Sequence, residues 1–423
     1  MDLKQEKEIL KPLVEELIKF SSLPVQGKKK ELWARHQAFT GTEQIPISVF
    51  YEGIPRPQWE FILGKGFLKT ESATAQELEL DLRKRLWAVK NIPDDHILWP
   101  FITLAAKISR PACWGIPVKW RGVDEEDSNP EHARRIDPPF NNSIDVSKIE
   151  FTDMDIATRE TAKVINLATE LVDDKISIFA GYSNLGFQPF DRAVEFRGLE
   201  NIMLDVVDAP EKVKELLEII TENLIKHHLN REEKGWINAP TIDNKYLAFP
   251  MRVHAAYLQE GFNQRKLKLS DEWCYIGAQT SSGLGPEMYA EFVQPYNARL
   301  AELFPGKTVY YHGCENLDQK AIIIRNLPNL RRFHISPWSS IRAVREATKD
   351  SFIYEVHDHP GRVFFGRNKE DMKKEIKTLI ADAGGCNFDL NLSDIHSVNK
   401  DPRLLKMWSE AAREAVEEAD KNR

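Results

Sequence analysis

From residue 176 to the end of the chain, short apolar runs alternate with helical patterns, and this alternation restricts the fold more than any other feature. Strands that alternate with helices in this way form βα units around a parallel sheet. The apolar runs lie at residues 176–180, 308–311, 330–335, 352–356 and 388–392, with further candidates at 45–50, at 96–103 and near 270. Their number approaches eight, so we predict an α/β fold closed as a (β/α)8 barrel of the TIM type.

The domain organisation that we expect is simple. Residues 1–28 contain a helical extension, because apolar residues such as Leu10, Leu13 and Leu17 recur close to a 3.6-residue period. One barrel domain then covers residues 29–423, since α/β barrels of this length occur as single domains. An excursion around residues 111–150, rich in Asp, Glu, Pro and Asn in its second part, predicts long surface loops.

Composition excludes several classes of protein. The chain carries 58 Lys and Arg against 65 Asp and Glu, a formal charge of −7, which argues against a general nucleic-acid binder. No apolar stretch approaches the ~20 residues that span a bilayer, and the first residues lack the apolar centre of a signal peptide. We therefore expect a cytoplasmic protein whose four cysteines are core residues, metal ligands or nucleophiles rather than disulfides.

Polar residues that could carry chemistry gather beside the predicted strands. Barrel enzymes place their active sites at the carboxyl ends of the strands. Residues 312–316 (His-Gly-Cys-Glu-Asn) follow one predicted strand, and residues 357–359 (His-Asp-His) follow another. Residues 271–274 (Asp-Glu-Trp-Cys) follow the strand expected near residue 270, and residues 384–386 (Gly-Gly-Cys) adjoin the last strand.

The pair His312 and Cys314 is the sharpest metal-binding signal. Residues two apart in an extended segment face the same side, so both side chains can converge on one point. Imidazole and thiolate suit Zn²⁺, and Cys386 would add a third ligand from across the barrel mouth. A His, Cys, Cys set with an open fourth position is typical of catalytic zinc. The competing interpretation is that these cysteines are inert core residues, and the spacing alone leaves both open.

The other candidates carry weaker signals. Glu272, His357 and Asp358 are candidate bases or substrate contacts, although polar residues in loops and turns often have no such role. Tyr310 and Trp273 lie near predicted strand ends and would line a pocket for a cofactor, or simply pack in the core. We interpret the remaining histidines as structural.

Six segments carry a family resemblance. They resemble the uroporphyrinogen decarboxylase superfamily, and within it the branch of cobalamin-dependent methyltransferases. The segments are residues 199–213, 271–279, 286–296, 310–317, 327–340 and 385–403. The resemblance implies a (β/α)8 barrel and zinc bound through a His-x-Cys…Cys motif, which maps onto His312, Cys314 and Cys386. Glu315 stands where the coenzyme M enzymes of this branch usually have Gly, and is implied to lie in or beside the metal site.

The resemblance also implies an activity. Relatives move a methyl group between a small molecule (a methyl ether, a methylamine or a thiol) and a corrinoid. The chain shows no D-x-H-x-x-G loop of corrinoid carriers, so we expect cobalamin to arrive on a partner protein; a homodimer is a further expectation. The alternatives are a metal-independent decarboxylase with an arginine-lined pocket, and a non-catalytic barrel that binds a corrinoid or tetrapyrrole.

Overall fold

The computed structural model describes residues 1–39, 44–122, 134–238, 267–306, 308–366 and 368–421. Parallel pairing dominates it: six strands form one sheet in the order β1-β12-β11-β10-β9-β8, and β2 pairs with β7. Two antiparallel pairs, β3 with β6 and β4 with β5, complete the described strands. The strands are β1 (Ile47–Val49), β2 (Phe101–Ala105), β3 (Ile108–Arg110), β4 (Lys119–Gly122), β5 (Arg134–Asp137), β6 (Asp155–Ile156), β7 (Ser177–Gly181), β8 (Cys274–Ile276), β9 (Val309–Tyr311), β10 (Leu330–Ile335), β11 (Ile353–Asp358) and β12 (Phe388–Leu392).

Helices follow most of the parallel strands, and among the described residues none is long and apolar enough to cross a bilayer. They are α1 (Leu3–Ser21), α2 (Pro24–Ala38), α3 (Arg56–Leu63), α4 (Ala73–Asn91), α5 (Thr158–Leu171), α6 (Pro189–Arg197), α7 (Leu199–Asp208), α8 (Pro210–Lys234), α9 (Pro286–Phe292), α10 (Gln294–Glu302), α11 (Ala321–Ile324), α12 (Ile341–Thr348), α13 (Pro360–Phe364), α14 (Lys369–Ala383) and α15 (Arg403–Lys421).

The α/β prediction is confirmed. The parallel strands that the sequence indicated are present, and β9 to β12 alternate with α11, α12, α13 and α14. Within the described residues, no hydrogen-bonded ladder joins the six-stranded sheet to the β2–β7 pair. Closure into a barrel therefore remains a prediction.

Helix α1 contributes to a second apolar core. Asp2 caps α1 through a capping box with Gln5, and Leu10, Val14 and Leu17 are buried as their period predicts. They pack with residues of α4, α5, β2 and β7 in one apolar cluster. Helix α2 spans residue 28, where we expected the extension to end.

The six-stranded sheet has two unlike faces, and both are buried. Side chains alternate along each strand, so one face of β10 presents Phe333 and Ile335 to the apolar core. The other face presents Arg332 and His334, which are also fully covered. Polar residues of the neighbouring strands bond to Arg332, and His334 bonds to the backbone oxygen of Gly313, so this polar face carries the candidate site.

Strands β8 and β9 approach closely just beyond their ends. A methyl group on Gly277 would lie 2.5 Å from the backbone oxygen of His312. Backbone atoms cannot move aside as a flexible side chain can, so glycine is required at this position.

We predict that Gly277→Ala will destabilise the protein by about 1–3 kcal/mol, because the added methyl group overpacks a backbone contact. Urea unfolding monitored by circular dichroism measures this change. Gly283→Ala is the matched control, because its methyl group would meet only the sulfur of Met203 at an ordinary 3.5 Å. Equal stability of the two variants would contradict the close approach.

Candidate functional site

His312 and Cys314 form the centre of the site, immediately after β9. The Nε2 atom of His312 lies 3.1 Å from the Sγ atom of Cys314. The side-chain amide of Gln279, which follows β8, donates to the same sulfur over 3.3 Å. The predicted convergence of the His-x-Cys pair on one point is therefore what the structure shows.

Three histidines gather beside this pair. The rings of His312 and His334 stack with centroids 4.1 Å apart, and the ring of His357 meets His334 edge-on at 4.2 Å. Nδ1 of His334 bonds to the backbone oxygen of Gly313 over 2.7 Å, while its buried Nε2 has no hydrogen-bond partner among the described residues. Burial holds the pKa of His334 well below its usual range, and the neighbouring rings of His312 and His357 act in the same direction, so this ring is neutral.

An ionic network lies beneath the histidines. Arg332 on β10 donates to Glu355 on β11 and to Asp389 on β12, each over 2.9 Å. Glu355 also accepts from the hydroxyl of Tyr310 over 2.7 Å and contacts Nε2 of His357 at 2.8 Å. Since all of these side chains are buried, each charge depends on the others for compensation.

The surroundings of Cys314 disfavour the thiolate. Burial, followed by the charges of Asp394 and Glu315, raises the pKa of the Cys314 thiol to about 12. Burial likewise raises the pKa of Glu315 to about 7. Both carboxylate oxygens of Glu315 are buried and have no hydrogen-bond partner in the described part of the chain. In the structure as it stands, Cys314 is therefore a thiol.

A cleft of about 360 Å³ reaches this centre through Gln279. Its other walls include Trp120 on β4 and Leu185, which are apolar, and Gln188. Arg192, which pairs with Glu195, also lines the cleft. A small molecule in the cleft would lie beside Gln279, one hydrogen bond away from the sulfur of Cys314.

The prediction that Cys386 joins this centre is wrong. Cys386 precedes β12 and follows the end of α14, whereas Cys314 follows β9. Because β9 and β12 run in the same direction, the two cysteines lie at opposite edges of the sheet. Cys386 instead lies near Arg345, at the end of α12. In the described residues, no group of three or more His, Cys, Asp or Glu side chains is arranged to hold a metal ion.

Glu272 and Trp273 are also displaced from the predicted site. Strand β8 begins at Cys274, so both residues precede the strand and lie at its amino end. Glu272 is buried in a bidentate ion pair with Arg231 on α8, with distances of 2.7 and 3.0 Å. Trp273 is buried in the core. The contacts of Glu272 point to a structural role, and Trp273 does not line the carboxyl edge.

The histidine and aspartate at the end of β11 separate, because consecutive strand residues face opposite sides. His357 lies in the cluster, where Ser393 Oγ contacts its Nδ1 at 2.8 Å. Asp358 faces α15 and accepts from the indole of Trp408 over 2.8 Å, so the structure places it outside the site. Tyr310 lies within the polar network, and its role as a cofactor contact stays a prediction.

Sequence reasoning missed several members of the site. These are His334, Glu355, Arg332, Gln279 and Ser393. The signal for Arg332, His334 and Glu355 was a polar residue at every second position inside a buried strand, which is unusual for a strand covered on both faces. Arg332 and His334 show this pattern on β10, and Glu355 and His357 show it on β11.

Comparison with known proteins adds information on the fold. No family model matches the chain, and no curated protein matches it. Among solved structures, it is similar to a methyltransferase from Methanosarcina mazei, with a TM-score of 0.50. The two are 11% identical, and the match covers 91% of this chain and 97% of the other. At this identity the likeness shows a shared fold and not a shared activity.

The raised pKa of Cys314 predicts slow alkylation of this thiol in metal-free protein. A raised pKa means that the reactive thiolate appears only as the pH approaches about 12, so the rate should stay low between pH 7 and 9. Peptide mapping by mass spectrometry after iodoacetamide treatment measures each cysteine separately. The exposed Cys113 is the internal reference. Alkylation of Cys314 at pH 7 as fast as that of Cys113 would show that a thiolate is already present.

Proposed function

We propose that this protein is a zinc-dependent methyltransferase that moves a methyl group between a small molecule and the corrinoid of a partner protein. The observation that carries the proposal is the His312–Cys314 pair. Bond lengths of about 2.0–2.1 Å to nitrogen and 2.3 Å to sulfur place two ligands of a tetrahedral zinc about 3.5 Å apart. The 3.1 Å between Nε2 and Sγ is close to that separation.

The donors present fit zinc in part. His312 and Cys314 would hold it, and Cys386 would not. A carboxylate near Cys314 would supply the next ligand: Glu315, whose buried oxygens have no hydrogen-bond partner among the described residues, or Asp394, which follows β12. A zinc ion bound here would act as a Lewis acid, lowering the pKa of a substrate thiol or polarising the oxygen of a methyl ether.

The chain's own residues would position the substrate. The cleft leads to Gln279, whose amide donates to the sulfur of Cys314, and Gln188 and Thr280 add polar groups to the same walls. We propose that the corrinoid enters from this same edge on a separate protein, since the sequence has no corrinoid-binding loop. The methyltransferase name of the structural neighbour agrees with this proposal and leaves the substrate open.

The barrel belongs to the same proposal. If the β2–β7 pair lay between β1 and β8, the parallel strands would form a ring of eight, with His312, Cys314 and Gln279 at its carboxyl edge. Active sites of such barrels lie at this edge.

The decarboxylase alternative needs arginines available to a polyanionic substrate. Two buried arginines are already neutralised: Arg332 by Glu355 and Asp389, and Arg231 by Glu272. Arg192 lines the cleft but pairs with Glu195. These pairings favour the methyltransferase over the lyase.

We expect about one zinc per chain in protein purified without chelator, and loss of that zinc in Cys314→Ser and His312→Ala. Cys386→Ser is the matched control and should keep the metal, because Cys386 lies at the other edge of the sheet. Glu315→Gln and Asp394→Asn identify which carboxylate contributes. Elemental analysis by mass spectrometry gives the stoichiometry.

The activity itself is tested by adding methyl donors and cob(I)alamin and following methylcobalamin formation by absorbance. Transfer that requires Cys314 and zinc would support the proposal. Absence of zinc from folded wild-type protein supplied with the metal, or full metal content in Cys314→Ser, would overturn it.

A further inference from the structure

We propose that Glu355 is a positioning residue: acting through Tyr310, it holds His312 in the tautomer that carries its proton on Nδ1. Nε2 of His312 then presents a lone pair to Cys314. The inference rests on the proposed function only for its consequence on metal binding, because the tautomer is a property of the metal-free protein.

The first step is the direction of each hydrogen bond at Glu355. An ionised carboxylate can only accept. The guanidinium of Arg332 donates to one of its oxygens over 2.9 Å, and the hydroxyl of Tyr310 donates to the other over 2.7 Å. Nε2 of His357 lies 2.8 Å from the carboxylate, and because the carboxylate cannot donate, the ring is the donor. The hydroxyl of Tyr310 has a single proton, and it donates that proton to Glu355.

The second step follows at Tyr310. Its oxygen lies 2.9 Å from Nδ1 of His312 and has no further proton to offer. The bond can therefore form only if Nδ1 of His312 is the donor. In a neutral imidazole one nitrogen carries the proton and the other accepts, so Nε2 is left as the acceptor. That nitrogen lies 3.1 Å from Sγ of Cys314, so its lone pair is directed to the sulfur.

The third step concerns charge. Beneath the histidines, the network contains one guanidinium, Arg332, and two carboxylates, Glu355 and Asp389. His36 on α2 contacts Asp389 at 2.7 Å, and burial, the largest influence on it, lowers its pKa, so it adds no charge at neutral pH. His357, which contacts Glu355 at 2.8 Å, also belongs to the network. A cation at the His312–Cys314 end would lie above two carboxylates and one guanidinium.

The arrangement is one that proteins use to orient a metal-binding histidine. Such a ring usually donates its other N–H to a carboxylate, a carbonyl or water, and loss of that partner typically costs 10–100-fold in metal affinity. Here a tyrosine hydroxyl lies between the ring and the carboxylate. The stacked ring of His334 at 4.1 Å further restricts rotation of His312.

The test is Tyr310→Phe in the full-length, chelator-treated protein, read by ¹⁵N NMR of the histidine rings. His312→Asn assigns the His312 signals among the 11 histidines. In the wild type we expect Nε2 of His312 to resonate as an unprotonated nitrogen. In Tyr310→Phe we expect a shift toward the Nε2–H form, because the acceptor for Nδ1–H is gone.

Tyr354→Phe is the matched control. It removes a tyrosine hydroxyl from neighbouring β11, where the hydroxyl bonds to Thr348 and not to the network. Its His312 spectrum should equal that of the wild type. If Tyr310→Phe does not fold, Glu355→Gln serves as the second variant, because its amide can donate and the acceptor for Tyr310 becomes weaker.

The outcomes separate the inference from the proposed function. A protonated Nε2 in the wild type, or an unchanged His312 in both variants, would overturn the inference. A tautomer shift together with a 10–100-fold weaker zinc affinity in Tyr310→Phe, measured by chelator competition, would support both. A tautomer shift in a protein that binds no zinc would support the positioning role and overturn the metal proposal.

Discussion

The buried guanidinium of Arg332, held between Glu355 and Asp389, is the interaction on which the polar face of the sheet depends. An isolated charge in an interior is so costly that each of the three residues requires the others, and removing one partner of such a group typically costs about 3–5 kcal/mol. The three lie on adjacent strands β10, β11 and β12. A one-residue slip of any of these strands would turn its charge to the apolar face, so the ionic group specifies the register of the sheet.

The candidate site follows from this register by the two-residue period of a strand. Toward the carboxyl edge, His334 lies two residues beyond Arg332 on β10, and His357 lies two residues beyond Glu355 on β11. In the same way, His312 lies two residues beyond Tyr310, and Cys314 lies two residues beyond His312. The site is thus a second layer on top of the ionic network. The charged residues lie below, the histidines lie above them, and the thiol of Cys314 lies at the edge beside Gln279. The charged residues, His334 and His357 are held by strands, and His312 and Cys314 directly follow β9, which gives better positional precision than long loops.

The sequence was informative about the elements and about part of the site. The alternation after residue 176 predicted the α/β fold, and the His-x-Cys spacing predicted the contact between His312 and Cys314. Cys386 was misplaced because nearness to a strand was taken as nearness to its carboxyl end, whereas Gly384, in the left-handed conformation, ends α14 before the strand begins. His334 was missed because polar alternation within a buried strand has meaning only when the neighbouring strands, and hence the bonding partners, are known.

The state of Cys314 connects these observations. In the structure its thiol and the Nε2 atom of His312 are each other's neighbours, so both polar groups are satisfied without a ligand and the site can form as the chain folds. If a cation binds there as we propose, it must displace the thiol proton, because a thiolate is the form that binds metal. Occupancy would then fall at low pH, where protons compete for the sulfur. Tyr310 and Glu355 would oppose this loss, because they hold Nε2 of His312 as an acceptor and so keep the nitrogen ligand available. A buried ionic group that specifies strand register would in this way also adjust the affinity of a site one layer above it.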